Sequence, residues 1–288
     1  MSRRKGFTLI ELLVVISIIA LLVSVLMPAL HKAKKAAHAA MCKSHMHQWG
    51  YIWKFYVDEF EYEGSNKKKG FFGDREASND WAVQMWVYYW KSESAEALRK
   101  MLLCAAAKKT IDEGGRNPYM AWYNQDDQDD WEEDYGVDWP VKGSYVVNLW
   151  ISDEIGSGKV GGPMQLFWRT PYVRHASYAP IMLCAQWKDA DPVPEDYPPE
   201  GPFDIWEPGE NEMKRACIQR HGDFVNGLFM DWSVRKTGLK ELWELWWHQG
   251  WPVAEFPHSR VAVGPPTEWL APEHWMHHMK EYAPERLF

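Results

Sequence analysis

The hydrophobic pattern divides the chain sharply near its start. After Met1, the polar and basic residues 2–5 and Gly6, residues 7–30 read FTLIELLVVISIIALLVSVLMPAL, an apolar run with one charge, Glu11. As a helix it would be roughly 36 Å long, enough to cross the hydrocarbon core of a bilayer. Beyond Pro28 the pattern turns amphipathic. Leu30, Ala33, Ala37, Met41, Ser44, Ile52 and Phe55 recur at helical spacing, and Lys32, Lys34, Lys35 and Lys43 fall mainly elsewhere. This predicts one long helix over residues 7–60 whose second half packs an inner face against a globular head.

Further along, residues 62–74 are polar and loop-like. Short helices are expected over 81–90 and 95–103, and strands over 142–151, 181–187, 227–230 and 234–236. The proline-rich stretch 189–208 cannot be a central element. Residues 240–248 suggest a last short helix with Leu242, Leu245 and Trp246 inward, before an irregular, proline-broken tail. One long helix followed by several short strands predicts an α+β fold with a small antiparallel sheet. The expected divisions are a basic leader at 1–6, a transmembrane and assembly helix at 7–30, and its amphipathic continuation at 31–60. A head at 61–238 and a Trp-rich tail at 239–288 complete them.

Composition adds three constraints. A net charge of -8, with 25% charged residues over 288 positions, argues against nucleic acid as a partner. Arg3, Arg4 and Lys5 favour a cytoplasmic leading end and an exported body. A secretory cleavage site is poorly placed, because His31, Lys32, Lys34 and Lys35 separate Ala37-His38-Ala39 from the apolar run. The 19 tryptophans, 13 tyrosines and 11 phenylalanines suit core packing, with some left to bind a flat ligand such as a sugar ring.

Glu11 is the informative residue, since a carboxylate at membrane depth is costly and usually has a partner or a function. Gly6-Phe7-Thr8-Leu9-Ile10-Glu11-Leu12-Leu13-Val14-Val15 resembles the cleavage and methylation motif of type IV pilins and type II secretion pseudopilins. The resemblance implies that a prepilin peptidase cuts after Gly6 and methylates the new Phe7 amine. It also implies that Glu11 serves subunit assembly, and that Pro28 sits where pilin helices kink. Electrostatics supports the assignment of Glu11: cleavage creates a cationic amine at Phe7, which the Glu11 of a neighbouring subunit can neutralise in a low-dielectric setting. The implied location is a bacterial inner membrane, spanned once, with a periplasmic head and contacts to lipid. The implied partners are the peptidase, sibling pilins or pseudopilins and an inner-membrane assembly platform. No cofactor is implied.

A second resemblance lies near the C-terminus. Arg220-His221-Gly222-Asp223-Phe224-Val225-Asn226-Gly227-Leu228-Phe229-Met230-Asp231-Trp232 is similar to a signature of large planctomycete-type pilin-like proteins, in which a histidine precedes Asp-Gly by nine residues. His221 and Asp231 keep the spacing, but Trp232 stands where the signature has the glycine that serves a positive backbone angle. A hydrogen bond across a hairpin is the expected role of His221 and Asp231, in preference to an acid–base pair. No Ser or Cys nucleophile has a recognisable setting, so no enzyme activity is expected.

Cys42, Cys104, Cys184 and Cys217 have no CxxC spacing, which disfavours a zinc knuckle and leaves three disulfide pairings or buried free thiols. The histidines at 31, 38, 45, 47, 274, 277 and 278 show no ligand pattern, so no metal site is expected there. Asp126, Asp127, Asp129 and Asp130 offer hard oxygens to calcium but lack EF-hand spacing, and a solvated loop is the expected form. The Trp-rich tail leaves an alternative function: a membrane-anchored surface module that binds polysaccharide.

Overall fold

The computed structural model describes residues 8–62, 81, 95–123, 125–137, 140–151, 164–168, 170–204, 211–251 and 271–279. Gly6, Phe7, the expected loop at 62–74 beyond its first residue, most of the expected helix at 81–90, and the proline-broken tail with Trp269 lie outside them. So do the side chains of Asp126, Asp127 and Asp130. The architecture is α+β: a long apolar N-terminal helix joined to a head built on a small mixed sheet.

Helix α1 (Leu9–Tyr62) is 54 residues long, which at the α-helical rise is about 81 Å. It contains Pro28 and continues through it. Its first part is exposed on every side: large apolar residues from Leu9 to Leu30 stand between 44% and 78% exposed. The second part buries one stripe, Ala39, Cys42, Met46, Trp49, Trp53 and Tyr56, at spacings of three and four residues.

This corrects the expected inner face. Leu30, Met41 and Phe55 are exposed, as are Ala33, Ala37 and Ser44, and Ile52 is half-buried. The true stripe is the expected one turned by about one residue, roughly 100° around the helix. The large rings Trp49 and Trp53 set it, because they remove more apolar area from water than alanine or serine can.

The head holds α2 (Ala95–Leu102), a two-stranded pair β1 (Trp122–Tyr123) and β2 (Lys142–Gly143), α3 (Gln125–Tyr135) and a one-turn α4 (Met213–Ala216). Its main sheet contains β3 (Tyr145–Asn148), β4 (Pro180–Cys184), β5 (Asp189–Ala190), β6 (Phe224–Phe229) and β7 (Val234–Gly238). The order is β5-β3-β4-β6-β7, antiparallel except for the β3–β5 pair. The expected strand at 142–151 is split into β2 and β3 and ends in a 3-10 turn at Leu149–Ile151. Among its described residues the proline-rich stretch supplies to the sheet only β5, at the edge, where missing amide donors cost least.

Every residue of β3 and β4 is buried. Successive strand residues face opposite ways, so both faces of the sheet are covered. On β6, Asn226 and Leu228 face α1. The Asn226 amide donates to the Ala39 carbonyl at 2.9 Å, and a Cβ on Gly50 would lie 3.0 Å from Leu228 Cδ1. By the strand period Val225, Gly227 and Phe229 point the other way.

The tryptophan surplus has a structural use. Indole N–H groups donate to main-chain carbonyls in pairs such as Trp49 to Met101, Trp81 to Lys188, Trp150 to Pro192, Trp168 to Trp247 and Trp243 to Asp196. Irregular chain leaves carbonyls without ladder partners, and an indole brings both apolar area and one donor to satisfy them. In the tail Trp243, Trp247 and Trp251 are buried, and Trp246 is half-buried beside the 3-10 helix Lys240–Glu244. Trp243, Trp247 and Trp251 of the Trp-rich tail therefore belong to the core.

Candidate functional site: the helix and its junction with the head

At the tip of α1, Thr8 and Glu11 form a reciprocal cap. Glu11 accepts hydrogen bonds from the Thr8 N–H and hydroxyl, each at 2.8 Å, and the Glu11 N–H donates to Thr8 Oγ1 at 3.2 Å. The T-x-x-E spacing produces this, since residues three apart meet across the first helical turn. Glu11 is thereby held at the start of an apolar helix with its carboxylate exposed.

In the second half of α1, Cys42 projects from the buried stripe into the head. Its sulfur lies 2.9 Å from that of Cys184, the last residue of β4. His221, just ahead of β6, places Nε2 at 3.5 Å from Cys104 Sγ and 3.6 Å from Cys184 Sγ. The four ligand atoms lie within 4.8 Å of one another, and all four residues are buried. All four cysteines of the chain are free thiols in this structure, and Cys217 stands apart, 3.9 Å from the Met276 sulfur. Cys42, Cys104, Cys184 and His221 are the group, among the described residues, that could share one metal ion.

The surroundings of this cluster are polar in a specific way. Arg220 is buried, and its guanidinium donates to the carbonyls of Pro118, Ser144 and Met120 at 2.7 to 2.9 Å. Tyr145 pairs directly with Cys184 across β3 and β4, so both side chains share one face. The Tyr145 hydroxyl is fully buried, with no nitrogen or oxygen partner and the Cys42 thiol beside it. Hydrogen bonds from Cys184 and Cys42, then His221 and the Arg220 charge, pull the Cys104 thiol far below its ordinary range. Burial pushes Cys42 up to about 12 and Cys184 well above its usual value.

The structure separates His221 from Asp231, contrary to the expected hairpin bond. They flank β6, a strand about 20 Å long at the usual rise. Asp231 instead accepts from the Ser233 N–H and hydroxyl at 3.0 and 2.6 Å within the β6–β7 turn. Trp232, where the signature carries glycine, has φ +66°, so the backbone keeps the left-handed conformation despite the side chain. The acidic segment is also not a loop: residues 126, 127, 129 and 130 lie in α3, with Asp129 exposed and accepting from Gln125 at 2.7 Å. Of the helix histidines, His45 contacts the Leu103 carbonyl at 3.1 Å.

Residues 1–27 match the family model described as "Prokaryotic N-terminal methylation motif", the type IV pilin and pseudopilin signature. The match ends within the first part of α1 and does not extend into the head. No curated protein and no solved structure matches the chain.

Proposed function

We propose that this chain is the precursor of a pilin-like subunit that prepilin peptidase processes and that assembles into a type II secretion pseudopilus or a type IV pilus-like filament. The methylation motif set on an apolar helix exposed on every side carries the reading. That helix is long and apolar enough to cross a membrane.

In this reading the peptidase cuts after Gly6 and methylates the Phe7 amine. The helix waits in the inner membrane, spanning it once, with the head in the periplasm and Arg3, Arg4 and Lys5 on the cytoplasmic side until removed. Thr8 satisfies the Glu11 carboxylate in the single chain, which lowers the cost of holding it at membrane depth. The Phe7 amine of an adjoining subunit then competes for Glu11, and the charge pair sets the axial register of the filament. Residues 9–30 pack as the filament core and the heads coat it. The partners are the peptidase, sibling subunits, the assembly platform and membrane lipid. The role is structural, and no catalytic group is assigned.

The test is Glu11→Ala in cells that retain the peptidase. The variant is expected to be processed normally yet stay in the membrane fraction, without the cross-linked subunit ladder of the wild type. A variant that assembles as the wild type does would overturn the proposal.

A further inference from the structure

We propose that Cys42, Cys104, Cys184 and His221 bind one zinc(II) ion, a Cys3His site that fastens the long helix to the head. The ligands come from four separate segments: α1, the chain just after α2, the end of β4 and the chain just before β6.

Donor chemistry and spacing both fit. Three thiolates and an imidazole form a common set for structural zinc, which takes tetrahedral coordination with Zn–S near 2.3 Å and Zn–N near 2.0 Å. A tetrahedron of those lengths puts sulfur about 3.5 Å from nitrogen and sulfurs about 3.8 Å apart. His221 Nε2 stands 3.5 and 3.6 Å from Cys104 and Cys184 Sγ. The Cys42–Cys184 pair, at 2.9 Å, opens by about 0.9 Å to admit the ion.

The shell around the ligands answers the charge such a site would carry. Zinc is held by three thiolates, whose remaining protons pass to solvent, and by a lone pair of His221 Nε2, so the complex has a net charge of about -1. Arg220 supplies a buried positive charge beside Cys104, and its hydrogen bonds in the structure go to three neutral carbonyls. A buried guanidinium is costly unless an anion compensates it, and the zinc thiolate complex is that anion. Tyr145 is the second sign: its fully buried hydroxyl has no nitrogen or oxygen partner and meets only the Cys42 sulfur, and its ring lies across β3–β4 from Cys184. A metal-bound thiolate gives that hydroxyl an acceptor, the outer-shell hydrogen bond that metal ligands generally receive. The ion would also keep the thiols from pairing in an oxidising compartment.

The experiment is metal analysis of the full chain extracted from membranes in detergent, with cobalt substituted for zinc as a spectroscopic probe. About one zinc per chain is expected, together with the visible bands of tetrahedral cobalt bound to thiolate. Cys104→Ala and His221→Ala should lose the metal, whereas Cys217→Ala should keep it. His221→Cys should keep one equivalent and shift the cobalt spectrum towards a four-thiolate site, an outcome that a merely packed cluster would not give. Folded wild-type chain without metal, or with a Cys42–Cys184 disulfide in its mass, would overturn the proposal.

Discussion

Truncating Trp49 to alanine tests whether the stripe Cys42-Met46-Trp49-Trp53-Tyr56 joins α1 to the head. The Trp49 side chain is fully buried, its ring meets Trp81 edge-on at 5.1 Å, and its indole donates to the Met101 carbonyl at 3.0 Å. Removing a buried tryptophan costs about 3–5 kcal/mol through lost transfer energy and the cavity left behind. The stranded Met101 carbonyl adds about 1 kcal/mol, so the total is about 4–6 kcal/mol. Phe55 is the matched control: it is 65% exposed and lies off the stripe, and its loss is expected to cost within about 0.5 kcal/mol. Urea unfolding of the full chain in detergent, followed by near-ultraviolet circular dichroism, reads both. With a slope of about 2–3 kcal/mol per molar, Trp49→Ala should lower the midpoint by about 1.5–3 M and Phe55→Ala by a few tenths. A larger loss for Phe55→Ala than for Trp49→Ala would refute the helix orientation.

Two further perturbations probe the head. His248 is buried against Trp150 and Trp251, and burial lowers its pKa from 6.5 to about 4, with Glu195 opposing. The unfolded chain therefore takes up a proton that the folded chain refuses, and stability is lost as pH falls from about 6.5 towards 4. Asp196, raised to about 6 by burial, acts in the opposite sense over part of that window. The stability difference between wild type and His248→Leu, measured by urea unfolding across pH 7 to 4, isolates the histidine, and it should move against the wild type by about 2–3 kcal/mol. Gly227→Ala would put a Cβ 2.6 Å from Leu183 Cδ2 in the sheet interior and should lower the thermal midpoint, at a cost of about 1–3 kcal/mol.

The parts legible in the sequence are those set by local pattern. The apolar run with its T-x-x-E start marks the long helix, and short apolar or alternating runs mark β3, β4, β6 and β7 to within a few residues. Periodicity alone selects the wrong inner face of α1, because Leu30, Met41 and Phe55 are apolar yet exposed and so make a second candidate stripe. Weighting by ring size, with Trp49, Trp53 and Tyr56 at spacings of four and three, selects the right one. The Cys–His cluster escapes a sequence reading for a different reason. Its ligands lie on four distant segments, so no short spacing betrays them, and only the packing of α1 on β4 and β6 brings them together. A cysteine on the buried stripe is the available clue. The His221–Asp231 spacing misleads because the strand between them carries the two ends apart.

The central claim rests on entry into the pilin pathway, and the mass of the mature N-terminus tests it most directly. Chain recovered from membranes that contain a prepilin peptidase should begin at Phe7 carrying one methyl group, and chain from cells without the peptidase should retain residues 1–6. An intact Met1 in both, or cleavage near Ala39, would contradict the account.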